Sequence, residues 1–293
     1  MYAWIMESTW HTEALTALGH PGRLAVFRLL ARRAPHGVRP GEMIGALDLK
    51  PSTLSVYLAS LERAGLIRAR RDGKSIFYSV TLDNVGGLVD FLVNDCCRGR
   101  PELCTPLAAR SLSSLAEGTQ AMPDRVFNVL FICVENFARS IMAEAILANL
   151  GKGKFQAFSA GTRPYSEMNP VALEVLEQNG HDVSTMRAKN VAEFQGDDAP
   201  PLDFAFTLCD AAANEDCPPW PGQPITAHWG MTDPVKATGT QAERALAFKA
   251  TYRALHRRLS AFVALPLATL DRISLQNRLD EIGADAPAAA SAR

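Results

Sequence analysis

Residues 126–150 limit what this chain can fold into more than any other stretch. Val126-Phe-Asn-Val-Leu-Phe-Ile132 is an apolar, β-rich run, short enough for a buried strand. After Ser140, apolar side chains recur at helical spacing (Ile141, Ala145, Ala148, with Met142 and Ile146 beside them) among strong helix formers. Between strand and helix lies Cys133-Val-Glu-Asn-Phe-Ala-Arg139-Ser140. Oxyanion chemistry needs that order. Successive backbone N–H groups in a tight loop form an anion nest, and the helix that follows adds the positive end of its dipole. The same field lowers a thiol pKa from about 8.5 toward roughly 3.5–7.5, which predicts a thiolate at Cys133. Arg139 can fork two N–H donors onto a tetrahedral oxyanion, and the Ser140 hydroxyl can hydrogen-bond the sulfur.

This stretch resembles the opening of the low-molecular-weight tyrosine phosphatase fold and, more closely, of the arsenate reductases built on it. Asn136 falls where the resemblance implies a loop-stabilising asparagine. Ala138 falls where the phosphatases carry a second cysteine, so a disulfide within the loop is not available.

At 293 residues the chain has room for two domains. Its charge is unevenly spread. Residues 1–100 carry 13 Lys and Arg against 9 Asp and Glu, net +4, and residues 101–293 carry 17 against 22, net −5. A basic front and an acidic back imply that the front alone meets a polyanion. No apolar run approaches the ~18 residues of a membrane span and no charged-then-apolar leader opens the chain, so no membrane partner and a cytoplasmic location are expected. The six cysteines then read as metal-binding or catalytic thiols before structural disulfides.

In the front, residues 11–33 read as an amphipathic helix interrupted near Gly19-His-Pro-Gly22, and Pro40 to Leu47 as a short helix. A further helix follows, with Ser52 as N-cap, Leu54, Leu58 and Leu61 as core stripe and Gly65 as C-cap. Its exposed face is Ser52, Thr53, Ser55, Val56 and Tyr57, a set of groups that suits base edges and phosphates in a major groove. Asp72-Gly73 between two alternating runs predicts a hairpin, made cationic by Arg68, Arg70, Arg71 and Lys74. Together these residues resemble a winged helix-turn-helix, mostly α with a β-hairpin wing, of the arsenic-responsive (ArsR/SmtB) repressors. The resemblance implies operator double-stranded DNA as partner and a homodimer through the helix after the wing, from Leu82 to about Asn94, with Val85, Leu88, Val89 and Leu92 as its seam. Some members bind inducer through a cysteine pair before recognition; Gly41 to Asp48 has none. Cys96, Cys97 and Cys104 lie instead just past the dimer helix and look like the carboxy-terminal arsenite site of another branch. Three thiolates suit pyramidal trivalent arsenic; zinc, the rival, wants a fourth ligand from Asp95, Glu102 or water.

The expected organisation is a winged domain over 1–104, a linker over 105–125, a reductase-like domain over 126–265, and a helix with a disordered tail over 266–293. The third segment alternates: strand 126–132, helix 140–150, strand 154–160, helix 169–179, strand 202–208, strand 225–228, helix 240–263. That predicts an α/β parallel sheet with helices on both faces and ligands at its carboxyl edge. The resemblance places the general acid at Asp233, followed by Pro234, and a reductase thiol pair at Cys209 and Cys217, which phosphatases of this fold do not need. It implies that Cys133 attacks arsenate, Cys209 displaces arsenite, and Cys217 closes a disulfide for thioredoxin or another thiol to reduce. No bound catalytic cofactor is expected; arsenite is the inducer. Two other readings stay open: a tyrosine phosphatase tethered to a regulator, and a transcription factor that senses oxyanions without turnover.

Overall fold

The computed structural model describes residues 2–96, 125–165, 167–196, 198–215, 220, 224–270 and 272–284. The chain divides into two compact units, Met1–Gly118 and Thr119–Arg293.

The first unit is helical with one β-hairpin. Helices α1 (Tyr2–Leu18), α2 (Pro21–Arg32), α3 (Pro40–Leu47) and α4 (Pro51–Arg63) precede strands β1 (Ile67–Asp72) and β2 (Ser75–Val80), and α5 (Leu82–Asp90) follows. Proline opens α2, α3 and α4 because the N–H it lacks has no intrahelical partner at that position anyway. For α4 this corrects the expected start: Lys50 is the N-cap, with no side-chain cap bond, and Ser52 lies inside the first turn. At the other end Gly65 takes φ +68°, its N–H bonds Glu62 O, and the Leu66 N–H bonds Leu61 O, which satisfies the last carbonyls of the helix. Leu54, Leu58 and Leu61 bury against Ala14, Val26, Leu29, Leu30 and Met43. Ser52, Ser55 and Val56 are exposed and Thr53 half-buried. Tyr57 is half-buried and lies so close to α2 that a side chain at Gly22 would come within 2.5 Å of its ring. Part of its surface is therefore spent on helix packing.

The hairpin turn is shifted by one residue from the expected one. Asp72 pairs with Ser75, so the two-residue loop is Gly73-Lys74, with Gly73 at φ +57°. Arg68, Arg70, Arg71 and Lys74 are all exposed. Beyond α5 the helix widens into a π-helical stretch, Phe91–Cys96. The expected seam is narrower than its sequence suggests: Leu88 is buried in the unit's own core and Val85 packs against it, while Val89 remains exposed. Cys96 is exposed; Cys97 and Cys104 lie outside the described residues.

The second unit is a four-stranded parallel α/β domain. It runs β3 (Phe127–Cys133), α6 (Arg139–Leu150), β4 (Phe155–Gly161), α7 (Pro170–Gln178), β5 (Phe204–Thr207), α8 (Asp210–Asn214), β6 (Ile225–His228), α9 (Gln241–Val263) and α10 (Arg272–Ala284). The strand order is β4-β3-β5-β6. In β3 both alternating sets of side chains are buried, Val129 and Phe131 on one face and Leu130 and Ile132 on the other, so the sheet is covered on both sides. Phe262 of α9 packs edge-on against Phe204 and Phe206 at ring distances of 5.2 and 5.3 Å. Fully burying such a ring contributes about 1.5–3 kcal/mol, so this aromatic face is a main source of the unit's stability. Among the described residues, no helix is long and apolar enough to cross a membrane.

Candidate active site

Strand order assembles the site. From β3 the chain moves outward to β4, then returns to β5 on the other side, which makes the carboxyl end of β3 a switch point. Ile132 is in register with Thr207, and the Leu208 N–H bonds Ile132 O, so Cys209 emerges beside Cys133 although 76 residues separate them. Thr207 is in turn in register with His228. Beyond β6 the Trp229 and Met231 N–H groups bond Thr207 O and Leu208 O, which carries the chain toward Asp233.

The loop after Cys133 is built so that its carbonyls face its outer wall. Thr162, Arg163, Tyr165 and Asn169 donate their N–H groups to the carbonyls of Cys133, Val134, Glu135 and Phe137. That orientation leaves the intervening amides for the inside of the loop, as an oxyanion nest requires. Gly161 is the price of this close approach: a Cβ there would lie 2.6 Å from Val134 O and 2.9 Å from Asn136 N. Asn136 takes the left-handed conformation, φ +48°, which a short amide side chain tolerates best after glycine. It is fully buried and satisfied. Its Nδ2 donates to Ser140 Oγ (3.0 Å) and Ser159 Oγ (2.9 Å), and its Oδ1 accepts from Lys189 N (2.7 Å).

Behind Asn136 lies a buried charge pair absent from the sequence reading. Lys189 Nζ meets Glu144 at 3.0 Å, and Ser159 Oγ donates to the same carboxylate. The side chains are 9 % and 16 % exposed, so removing one partner leaves a nearly buried charge. Lys189→Met is expected to destabilise the second unit by about 3 kcal/mol, measured by urea unfolding. Loss of less than about 1 kcal/mol would show that the pair does not support the loop.

Cys133 and Cys209 are both buried, and their sulfurs interact. The neighbouring Cys209 sulfur, aided by burial, raises the Cys133 thiol well above its usual range; Arg139 and Ser140 oppose this. Cys133 in turn lowers Cys209 to about 6 against burial, helped by the Ala212 amide, Arg139 and the Val134 amide. The pull of the loop toward a Cys133 thiolate is thus opposed by a competition of two sulfurs for one proton. Its cause is the neighbouring strand, which the loop motif alone does not contain.

Arg139 is 8 % exposed and joins the loop to the β6 extension. Its Nη1 donates to Met231 O at 2.8 Å and its Nη2 to Asp233 Oδ2 at 3.0 Å. Asp233 also caps the single 3-10 turn Pro234–Lys236 by accepting from the Val235 N–H. Arg139 and Asp233 are thus brought together with Cys133 and Cys209, and Asn136 and Ser140 brace the loop. Cys217 lies outside the described residues. The sequence reading also missed His228, whose Nδ1 meets Thr207 Oγ1 at 2.8 Å and whose Nε2 meets Asp210 Oδ1 at 2.9 Å, directly after Cys209. The one signal in the sequence is that His228 stands five residues before Asp233.

The family described as low molecular weight phosphotyrosine protein phosphatase matches residues 128–274. An arsenate reductase of Shouchella clausii is 31 % identical over 134 residues, which cover 46 % of this chain and 93 % of the relative. An arsenate reductase of Bacillus subtilis is 30 % identical over the same length and shares. A glutaredoxin arsenate reductase of a Synechocystis species is 34 % identical over 106 residues, 36 % of this chain and 77 % of that protein.

Proposed function

Since the chain belongs to the low molecular weight phosphotyrosine protein phosphatase family through residues 128–274, we propose that its second unit is an arsenate reductase and that its first unit is a repressor answering to the product. The observation that carries the enzymatic reading is the second thiol: the register of β3 with β5 brings buried Cys209 beside Cys133, where phosphate-ester hydrolysis needs one sulfur only. The relatives named arsenate reductase support the same substrate.

The chemistry balances with these residues. Arsenate enters the loop between the inward amides and Arg139. Cys133 Sγ forms a bond to arsenic, and an As–O bond breaks; Asp233 supplies a proton and the oxygen leaves as water. Cys209 Sγ then attacks Cys133 Sγ. The S–S bond forms, the As–S bond breaks, and its electron pair stays on arsenic, which departs as arsenite. Cys217 displaces Cys133 from that disulfide and leaves a Cys209–Cys217 disulfide, which a thioredoxin- or glutaredoxin-type dithiol reduces. Two thiols supply the two electrons. Asn136 and Ser140 hold the loop in the conformation the first step needs.

For the first unit, the support is the α3–α4 arrangement, the hairpin with its exposed arginines, and the net positive charge of residues 1–100. In this reading α4 enters the major groove with Ser52, Thr53, Ser55, Val56 and Tyr57, while Arg70, Arg71 and Lys74 contact phosphates of a near-palindromic operator. A second copy of the chain reads the other half-site. Arsenite bound to Cys96, Cys97 and Cys104 releases the operator. The enzyme therefore makes the inducer. Fluorescence anisotropy with labelled operator tests this. Arg70→Ala and Lys74→Ala should each weaken binding to all sequences alike and lower the salt slope by about one unit. Arsenite should release both the wild-type and the Cys133→Ser complexes, and arsenate should not release the Cys133→Ser complex. An unchanged slope, or release of the Cys133→Ser complex by arsenate, would contradict the assignment.

A further inference from the structure

The helix at the end of the described chain, α10, is almost entirely outside the stretch that matches the family, which stops at residue 274. Its own sequence gave no role. In the fold it lies against β6, the edge strand of the sheet, where Gln276 Nε2 donates to Thr226 O at 2.9 Å. An uncovered edge strand offers unpaired backbone groups, and a helix laid over it removes that liability. Covering alone, however, does not require what the far end of α10 does.

Three contacts tie α10 to the segment that leads into Asp233. Trp229, fully buried and stacked on Phe206, donates its indole N–H to Leu279 O at 2.9 Å. Gly283 comes so close that a Cβ would lie 2.6 Å from Trp229 Cδ1 and 2.9 Å from His228 O. Arg258 of α9, itself buried, sends Nη2 to Gly283 O (3.0 Å) and Nη1 to Trp229 O (3.1 Å) and Gly230 O (3.4 Å). The next residue, Met231, gives its carbonyl to Arg139, and Asp233 follows two positions later. The opposite side of the same segment is held by Thr207 and Leu208.

We infer that α10 is a clamp on the acid segment, and that Arg258, Trp229 and Gly283 are positioning residues which set Asp233 and the carbonyl anchor of Arg139 against the oxyanion loop. The inference rests on the arsenate reductase reading of that site. None of the three residues touches the reacting atoms. They act by fixing where the proton donor stands, and displacement on the order of 1 Å in such a group can cost about a hundredfold in rate.

The test is a set of steady-state measurements on the full-length protein with arsenate and a thiol reductant. Gly283→Val should lower kcat by about tenfold or more while KM for arsenate stays within about threefold. Its loss should be absent in the Asp233→Asn background, because a clamp acting through Asp233 has nothing left to position. Arg258→Met should reproduce both results, and it carries the test if Gly283→Val does not fold. Wild-type kcat in both variants, or a loss that multiplies with that of Asp233→Asn, would overturn the clamp while leaving the enzyme assignment intact. A wild-type chain unable to reduce arsenate would overturn both.

Discussion

Cys133→Ser is expected to lower arsenate reduction by roughly 10⁴-fold or more, the scale on which enzymes lose activity when a covalent nucleophile is removed. Serine is nearly isosteric and fits this buried position, so the fold should survive. The variant should unfold at the same urea concentration as the wild type. Operator binding and its release by arsenite should also be unchanged, because those properties are assigned to the other unit. Arsenite production, followed by separating the two oxidation states of arsenic, checks the first expectation. Anisotropy with added arsenite checks the second. Residual turnover within tenfold of wild type would remove Cys133 from the mechanism.

Cys209→Ser should be nearly as damaging, by roughly 10³-fold or more in arsenate turnover, since a serine oxygen cannot take the bond from Cys133 sulfur. Hydrolysis of a small aryl phosphate, to whatever extent the wild type performs it, should persist, because that reaction asks nothing of a second thiol. The same pair has a pH signature. Cys209 is lowered to about 6 from an ordinary 9.0, so its thiolate is present above pH 6 and lost below it. Alkylation of Cys209 by iodoacetamide, mapped by peptide mass, should rise with pH and reach half its plateau near pH 6. In Cys133→Ala the largest cause of the lowering is gone, and the midpoint should move up toward the ordinary thiol value. A wild-type midpoint near 9 would mean that the two sulfurs do not share a proton in solution.

Local features were legible from the chain, and contacts across the sheet were not. The β3–loop–α6 unit announced itself because an apolar run, a cysteine, an arginine and a helical stripe lie within 25 residues. Asp233 was legible through its neighbours, and the alternation of strands and helices followed from periodicity. What could not be read was that two sulfurs compete for one proton. That depends on the parallel register of Ile132 with Thr207, which puts Cys209 against Cys133. Nothing in the local sequence pairs Lys189 with Glu144, which meet behind Asn136 across 45 residues. Arg258 and Gly283 carried no pattern at all; their meaning lies in a backbone approach that no spacing rule encodes. Two local expectations in the first unit shift with the structure: Pro51 moves the helix start away from Ser52, and Leu88 is buried in the unit's own core.

The central claim is that Cys133 and Cys209 reduce arsenate through a disulfide relay, and a single turnover tests it most directly. Fully reduced protein is mixed with one equivalent of arsenate and no external reductant. It is then quenched with an alkylating agent, and arsenite and the disulfide map are read together. The account predicts about one arsenite per chain, an unmodified Cys133 thiol available to the alkylating agent, and a new disulfide joining Cys209 to Cys217. Arsenate recovered unchanged, or arsenite formed with Cys209 and Cys217 both still reduced, would contradict it.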